Sequence, residues 1–378
     1  MILLIGEFSG VHLELAKSLR KLNYEITTVS DGDSYKSISS DILVEQAVYT
    51  GICKWLNLVV NWLGFNGALK YRKLVKKLDA LPNIELVQII NPVAIDTLGG
   101  VGNLLLLLYL RRRTKNIYLC SLGDDYRWVE ACLRGRFIYS PMDRLLSNGI
   151  VGFLRYQYTL KHIFSPVYIF LNFFARWSAR KVIPGLLDYK IAYEGCSKLA
   201  PLIPLPVSED RFHSPVKSTY PLIIFHGWQT TKDNKKGGDI LDLAARKCVE
   251  SVGEDKVIYK IVSGVPYDQY IQTFNDADIF LDQVFSYDRG MNGALGMAAG
   301  KVVFSGFEQE SLDIGVNATP DAELLAQKLI SLVNDIDTVN SIRKAGFEFA
   351  SRYYSSDRVV QQYLSVWGMQ RADPENSG

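Results

Sequence analysis

The sequence lacks several features that mark out large protein classes. Its 378 residues include 42 Lys+Arg and 40 Asp+Glu, a net charge of +2, so it has no basic excess for binding DNA phosphates. We therefore expect no nucleic-acid partner. With only 13 prolines and 29 glycines, the chain is not of a fibrous or low-complexity type.

Cysteine is scarce, and no two cysteines have CxxC spacing. The residues are Cys53, Cys120, Cys132, Cys196 and Cys248. This pattern predicts neither a disulfide framework nor a structural zinc site, and it favours a reducing, cytoplasmic setting. No HxxH or clustered His/Asp pattern occurs, so we expect no metal and no bound cofactor.

Long apolar runs are also missing. The longest candidate, Ile163–Ala175, is interrupted by Ser165 and Pro166 and is shorter than the roughly 18–20 residues of a membrane-spanning helix. The opening MILLIGEFSG has no basic region before its apolar run. It therefore predicts a first core strand rather than an export signal, which disfavours a periplasmic binding protein.

The sequence does contain alternating strand and helix patterns in two successive halves. The first half runs from a strand at Ile2–Ile5 to a strand at Asn116–Ser121, and residues 41–78 are predicted to be mostly helical. The prolines of APLIPLPVSED indicate a linker. The alternation restarts with a strand at Pro221–Phe225. The chain is therefore predicted to be an α/β protein with two parallel sheets.

Basic residues and glycines follow the strand Pro221–Phe225, in HGWQTTKDNKKGGDIL. Lys232, Lys235 and Lys236 precede Gly237, where a helix begins. Glycine lets backbone N–H groups approach an anion, and lysine adds a full charge. This pattern is typical of a phosphate-binding loop, although a solvated basic turn would look the same.

A second glycine-rich helix opening follows the next strands, in DIFLDQVFSYDRGMNGALGMAAGKVVFSG. Asp282 ends a strand, and Gly290, Met291, Asn292 and Gly293 open a helix. The same anion-binding logic applies. Close packing of a helix on a strand would also require small residues here, and Asp282 could either contact a ligand or cap a turn.

These two segments resemble the C-terminal half of a GT-B glycosyltransferase of the retaining family 4 type. The resemblance covers roughly residues 215–368 and implies two Rossmann-like domains facing a central cleft. The predicted domains are an acceptor-side domain over 1–204, onto which 357–378 returns, and a nucleotide-sugar domain over 205–356. The implied donor-binding residues are Gly10, Gly227, Lys235, Lys236, Gly237, Ser263, Gly264, Asp282, Gly290, Met291, Asn292 and Gly293.

The resemblance also implies a reaction. A sugar would move with retention from a nucleotide-diphosphate sugar to a glycan or lipid-linked glycan hydroxyl, in surface polysaccharide biosynthesis. Lys236 would stabilise the leaving diphosphate without a metal. Asp124, Asp125 and His226 are the candidate catalytic residues on the acceptor and donor sides. An N-cap of the helix that begins at Tyr126 is an equally open role for one of the two aspartates.

One departure from the family pattern stands out. Leu295 occupies the position of a donor-binding Glu, and Tyr287 that of a second acid. Asp288 or Glu308 could substitute. A catalytically degenerate GT-B partner subunit is therefore the alternative function. Dehydrogenase, epimerase and P-loop kinase functions are disfavoured, because GxGxxG, YxxxK and GxxxxGK[ST] are all missing.

Residues 134–183 are rich in aromatic and basic side chains and contain a single acid, Asp143. Such composition is found in helices that lay basic side chains over a buried face. It is equally typical of a surface that contacts an anionic bilayer. Peripheral contact with the inner face of the cell membrane is thus a second expectation for this cytoplasmic chain.

Overall fold

The chain divides into two units. The structure is a computed structural model that describes residues 1–32, 38–45, 59–65, 67–146, 149–229, 233–265, 267–309 and 312–369. The first unit comprises Met1–Ala131, Gln157–Pro206 and Ser356–Gly378, and the second comprises Cys132–Tyr156 and Val207–Ser355. Residues Cys132–Tyr156, which the sequence analysis assigned to the first domain, thus group with the second unit.

The first unit is built on a six-stranded sheet with the order β3-β2-β1-β4-β5-β6, and every pairing in it is parallel. Its strands are β1 (Ile2–Ile5), β2 (Ile26–Ser30), β3 (Ile42–Leu43), β4 (Leu86–Ile89), β5 (Ile117–Ser121) and β6 (Val182–Pro184). The central strands are buried along their whole length because helices cover both faces. The order is that of a doubly wound nucleotide-binding fold.

The second unit contains a five-stranded parallel sheet with the order β11-β10-β9-β7-β8. Its strands are β7 (Leu222–Gly227), β8 (Val257–Val262), β9 (Ile279–Leu281), β10 (Val302–Ser305) and β11 (Val316–Asn317). Ile224, Leu281 and Phe304 lie in its main hydrophobic core. The two parallel sheets confirm the predicted α/β class.

Among the described residues, helices connect most of the successive parallel strands in both units, and three further helices follow β11. In chain order they are α1 (Val11–Lys21), α2 (Ala68–Asp79), α3 (Gly99–Arg113), α4 (Tyr126–Leu133), α5 (Gly149–Phe164), α6 (Pro166–Ser178), α7 (Leu187–Ala192), α8 (Asp233–Lys236), α9 (Gly238–Val252), α10 (Tyr267–Asn275), α11 (Met291–Ala298), α12 (Ala322–Asn334), α13 (Ile336–Tyr353) and α14 (Ser356–Trp367).

The last helix belongs to the first unit. On α14, Val359, Tyr363 and Trp367 are buried in the core that also contains Leu15 and Leu19 of α1. The Trp367 indole donates to Gln88 Oε1 on β4 (3.2 Å). The chain therefore completes its first sheet with residues from its far end.

The prediction of mostly helical structure over 41–78 is wrong at its start. Ile42 and Leu43 form β3, which pairs with Val29 and Ser30 of β2. A two-residue strand has too little length for periodicity to distinguish it from a helix. Helix α2 begins at Ala68, and residues 46–58 and 66 lie outside the described residues.

Candidate functional site

Most of the predicted donor-binding residues of the second unit lie at one edge of its sheet. The carboxyl ends of β7, β8, β9 and β10 meet there because these neighbouring strands are parallel. Gly227 ends β7, Ser263 and Gly264 follow β8, and Asp282 follows β9. This edge is where open α/β sheets bind ligands.

Lys236 and Asp282 form an ion pair at this edge. The Lys236 Nζ donates to Asp282 Oδ1 at 2.9 Å. The Asp282 side chain is 1% exposed, whereas that of Lys236 is 19% exposed. The buried carboxylate therefore holds an ammonium group that still reaches solvent.

The second oxygen of Asp282 is also occupied. Ser305, at the end of β10, donates its hydroxyl to Asp282 Oδ2 at 3.1 Å. Both carboxylate oxygens of Asp282 are engaged and its side chain is buried. Asp282 therefore orients Lys236 rather than contacting a ligand itself. Ser305 was not among the predicted site residues, although its position at the end of a predicted strand was the available signal.

Close packing sets the shape of the loop that carries Lys236. Gly237 has a φ of +72°, and a Cβ there would lie 2.4 Å from Val284 Cγ2. A Cβ on Gly238 would lie 2.7 Å from the Trp228 ring. Lys236 O also accepts the Val284 N–H (2.9 Å). The two glycines are thus required by packing, and that packing places Lys236 beside Asp282.

Helix α11 begins next to this ion pair. Gly290 is its N-cap, and no side chain caps the first turn. A Cβ on Gly293 would lie 3.5 Å from Asp282 Oδ2, while one on Gly290 would meet nothing within 4 Å. Met291 and Asn292 are half-buried. Backbone N–H groups and the lysine therefore converge on one place, which favours an anion.

A segment from earlier in the chain fastens the lysine loop. Two guanidinium N–H groups of Arg144 donate hydrogen bonds to the carboxylate of Asp239 on α9, at 2.9 Å each. Arg155 donates to Asn234 Oδ1 (2.8 Å), and the Tyr156 hydroxyl to Asn234 O (3.0 Å). Both ends of the turn around Lys236 are held in this way. Sequence spacing gives no signal for such distant pairs.

His226, a candidate catalytic residue, lies on β7 among aromatic side chains. It is buried, its ring stacks on Trp228, and its Nδ1 lies 3.0 Å from the Tyr259 hydroxyl. Burial lowers the pKa of His226 to about 4. The imidazole is neutral at physiological pH and is a weak base. The catalytic role of His226 stays a prediction, and a base of such low pKa would be weak.

The remaining predicted donor residues differ in surroundings. Ser263 and Gly264 are exposed, and a Cβ on Gly264 would meet nothing within 4 Å. Gly227 is in tight contact with Tyr270, since a Cβ would lie 2.7 Å from that ring. Lys235 is half-buried on α8. Lys232 lies outside the described residues.

Glu308, which follows β10, has a carboxylate oxygen with unused hydrogen-bonding capacity. Leu295 packs in the hydrophobic cluster around Phe280 and provides no acid. Asp288 is buried and accepts the Arg289 backbone N–H (2.7 Å), with the Arg289 guanidinium 3.7 Å away. Glu308 Oε1, in contrast, is buried and has no hydrogen-bond partner among the described residues.

Gly10, the predicted donor residue of the first unit, begins α1. Gly10 has a φ of +88°, and as the N-cap it provides no side-chain hydrogen bond to the first turn of α1. The carboxylate of Glu7 accepts the Leu13 N–H (2.8 Å) at the same helix start. The Glu7 carboxylate therefore already occupies part of the place where an anion would bind at the start of α1. Glu7 was not among the predicted site residues.

The two candidate catalytic aspartates, Asp124 and Asp125, have different surroundings. Asp125 is fully buried, accepts the Trp128 N–H (2.8 Å) and accepts the Tyr193 hydroxyl (2.6 Å). Burial raises its pKa to about 6. Asp125 is therefore the N-cap of α4, the alternative role left open above. Asp124 is half-buried and accepts the Thr159 hydroxyl, which leaves it as the candidate of the pair.

The described residues contain neither a membrane-spanning helix nor a cluster of metal ligands. None of their helices has both the length and the apolar character needed to cross a bilayer. They also contain no cluster of three or more His, Cys, Asp or Glu side chains arranged to hold a metal ion.

The fold is similar to that of several solved glycosyltransferases. HepE from Anabaena, solved with UDP and glucose, aligns over 98% of this chain and 99% of its own, with a TM-score of 0.57 and 12% identity. A sucrose-phosphate synthase from Thermosynechococcus elongatus aligns over 97% and 98%, with a TM-score of 0.59 and 12% identity. WaaG, a glycosyltransferase involved in lipopolysaccharide biosynthesis, aligns over 96% and 99%, with a TM-score of 0.56 and 11% identity.

Sequence comparison gives no such relationship. No family model matches the chain, and no curated protein matches it. At 11–12% identity the structural similarity establishes the fold and leaves the reaction to be argued from the site. The similarity extends over nearly the whole length of all three proteins. The chain has the GT-B fold.

Proposed function

We propose that this protein is a glycosyltransferase that uses a nucleotide-diphosphate sugar. The observation that carries the proposal is the Lys236–Asp282 ion pair beside the uncapped start of α11. An ammonium group that reaches solvent and backbone N–H groups at one sheet edge suit a diphosphate. HepE, whose fold is similar, has been solved with UDP and with UDP-glucose, which supports this donor class.

Lys236 supplies the charge for bond cleavage. When the bond between the sugar and the diphosphate breaks, negative charge grows on the leaving oxygen. A fixed ammonium group and a helix N-terminus stabilise that charge without having to reorient. Asp282 holds the ammonium in place, so Asp282 is a positioning residue. The proposed reaction therefore proceeds in the presence of EDTA.

Glu308 is proposed to bind hydroxyl groups of the donor. Leu295 cannot do so, and Asp288 is engaged by Arg289. Glu308 has a carboxylate oxygen with no hydrogen-bond partner among the described residues. Donor hydroxyls would supply the missing hydrogen bonds, which removes the cost of leaving that oxygen unsatisfied. Glu308→Gln should therefore weaken donor binding.

The acceptor is proposed to be a hydroxyl of a glycan, lipid-linked in surface polysaccharide biosynthesis, with the sugar transferred with retention. Asp124 is the proposed group that orients this hydroxyl. The similarity to WaaG, named for lipopolysaccharide biosynthesis, supports this setting. A reducing cytoplasmic location fits the scattered cysteines.

Donor binding and turnover of Lys236→Ala test the proposal. UDP- and GDP-sugars are first screened for protection against thermal unfolding, because a ligand that binds the native state raises its stability. The best donor is then used with Lys236→Ala and with Lys217→Ala, which removes the same charge at an exposed position before β7. A lost charge-assisted contact is worth roughly 1.5–3 kcal/mol, so Lys236→Ala should bind or turn over at least about tenfold less well.

The alternative function is a catalytically degenerate partner subunit, which Leu295 at the family's Glu position favours. The screen separates the two functions. Donor hydrolysis or transfer supports the enzyme. If no nucleotide-sugar protects the protein, or if Lys236→Ala behaves like Lys217→Ala while remaining folded, the enzyme proposal is rejected.

A further inference from the structure

The outward face of α6 consists of aromatic side chains. Phe170, Phe173 and Trp177 are 56%, 51% and 62% exposed. Their spacing of three and four residues places them on one side of the helix. A surface helix of a globular protein normally carries polar residues on its outer side, with its apolar side toward the core. Helix α6 carries apolar side chains both on its outer side and on the side that faces the core.

The inner side of α6 is firmly packed. Tyr168, Leu171 and Ala175 are buried. The Tyr168 hydroxyl donates to Asn61 O (3.0 Å), and a Cβ on Gly100 of α3 would lie 2.8 Å from Val167 Cγ1. The orientation of the helix is therefore fixed, and its aromatic side cannot turn inward.

The exposed apolar surface continues beyond the helix. Gly64 lies against Val167, since a Cβ there would be 3.0 Å from Val167 Cγ1. The neighbouring Leu63 and Phe65 are 56% and 57% exposed. We call the surface of Leu63, Phe65, Phe170, Phe173 and Trp177 the aromatic patch. Exposed apolar side chains grouped on neighbouring segments in this way are typical of an interaction site.

Positive charge lies at one end of the aromatic patch. The Arg111 guanidinium stacks 4.1 Å from the Trp177 ring and donates to Ser178 O. Arg112, Arg180 and Lys181 are exposed nearby in sequence. Between Asp143 and Asp188 the sequence contains no Asp or Glu. Positive charge therefore gathers at the C-terminal end of α6, whereas the exposed carboxylate of Asp96 lies near Tyr168 at its start, 3.8 Å from Lys161 Nζ.

We propose that the aromatic patch inserts into the headgroup region of an anionic phospholipid bilayer. Aromatic side chains favour the boundary between headgroups and acyl chains, and adjacent Arg and Lys side chains attract anionic lipids. Charge complementarity selects this partner. The inference does not depend on the proposed reaction, since no residue of the patch belongs to the donor site.

The structure also narrows the membrane surface that composition suggested over 134–183. Arg144 and Arg155 are engaged by Asp239 and Asn234 within the second unit. These two arginines hold the loop that carries Lys236, so their charges contribute less to a cationic surface. The aromatic patch and the basic end of α6 are the parts that fit a bilayer.

Cosedimentation with lipid vesicles tests the proposal. Full-length protein is mixed with phosphatidylcholine vesicles that contain phosphatidylglycerol, and with pure phosphatidylcholine vesicles. We expect binding to the anionic vesicles that falls as salt is raised. A triple variant, Phe170→Ser with Phe173→Ser and Trp177→Ser, should bind at least about tenfold less, because it removes most of the inserted apolar area.

Controls make the result specific. Leu243→Ser and Val216→Ser, at exposed apolar positions of the second unit, should bind vesicles as the wild type does. Arg180→Gln with Lys181→Gln should weaken binding to anionic vesicles only. Circular dichroism checks that each variant is folded, and donor binding in solution should be unchanged in the triple variant.

Three outcomes would overturn the proposal. The first is that the wild type does not bind anionic vesicles at low salt. The second is that the folded triple variant binds them as well as the wild type does. The third is a lipid-free dimer, seen by analytical ultracentrifugation, that the triple variant abolishes while vesicle binding is absent, because the patch would then join two copies of the chain.

Discussion

At the scale of single residues, burial separates groups that can act from groups that hold the structure. Sequence placed Asp125, His226 and Asp282 at the ends of strands, where ligands bind. The structure buries all three and gives each a protein partner. Lys236 and Glu308 keep capacity for a ligand. Strand ends are readable in a sequence, but the partner that occupies a side chain is not.

Asp282→Asn should weaken donor binding less than Lys236→Ala does. Asparagine keeps an acceptor for Ser305 but loses the charge that fixes Lys236. We expect a fall of about tenfold in affinity, since a charge-assisted hydrogen bond becomes a neutral one. Titration calorimetry with the donor measures it. Equal affinities for Asp282→Asn and the wild type would contradict the positioning role.

Asp125→Asn should change how stability depends on pH. Burial raises the pKa of Asp125 from 3.8 to about 6. The protonated carboxyl is therefore favoured in the native state. Its contribution is fully present below about pH 4 and is lost as the pH rises to about 6. Asparagine does not titrate.

The stability of the wild type relative to Asp125→Asn should therefore fall by up to about 3 kcal/mol between pH 4 and pH 6. Urea unfolding at several pH values measures it, with the exposed Asp255→Asn as the control. Parallel pH profiles for wild type and Asp125→Asn would show that Asp125 titrates normally.

At the scale of helices and strands, periodicity identified long elements well. The predicted strands Ile2–Ile5 and Val257–Val262 are observed with the same bounds. Short elements such as β3 and β6 were missed or misassigned, because two or three residues carry no period. The ion pair between Arg144 and Asp239 of α9 was also not predicted, because it joins residues 95 positions apart.

Arg144→Gln should loosen the loop that carries Lys236. The bidentate pair with Asp239 would be lost, while the hydrogen bond of Tyr156 to Asn234 would remain. We expect a several-fold rise in KM for the donor and a small effect on unfolding, because partly exposed ion pairs contribute only about 0.2–1 kcal/mol. Steady-state kinetics check this. Arg246→Gln, which breaks the exposed pair with Asp242 on α9, is the control.

At the scale of the whole molecule, the first unit depends on the end of the chain. Tyr363 and Trp367 are buried against its sheet, and the Tyr24 hydroxyl donates to Met369 O (3.0 Å). Sequence indicated a closing helix through its apolar spacing. Its return to the first domain was implied by the family resemblance and not by the helix itself, because an amphipathic face does not specify its partner.

Trp367→Ala should destabilise the protein by about 3–5 kcal/mol, the usual cost of truncating a large buried side chain. Gln362→Ala, on the exposed side of α14, should change stability little. Urea unfolding followed by circular dichroism measures both. If the two variants unfold alike, α14 contributes no packing to the first unit.

The return of α14 sets an order for folding during synthesis. The segment Val207–Ser355 leaves the ribosome before the last helix does, so the second unit can fold while translation continues. The first unit starts at Met1 yet lacks a wall of its core until Trp367 has emerged. The first unit, whose chain begins to emerge before the second, is therefore completed after it, and one face of its sheet stays exposed until Trp367 has left the ribosome.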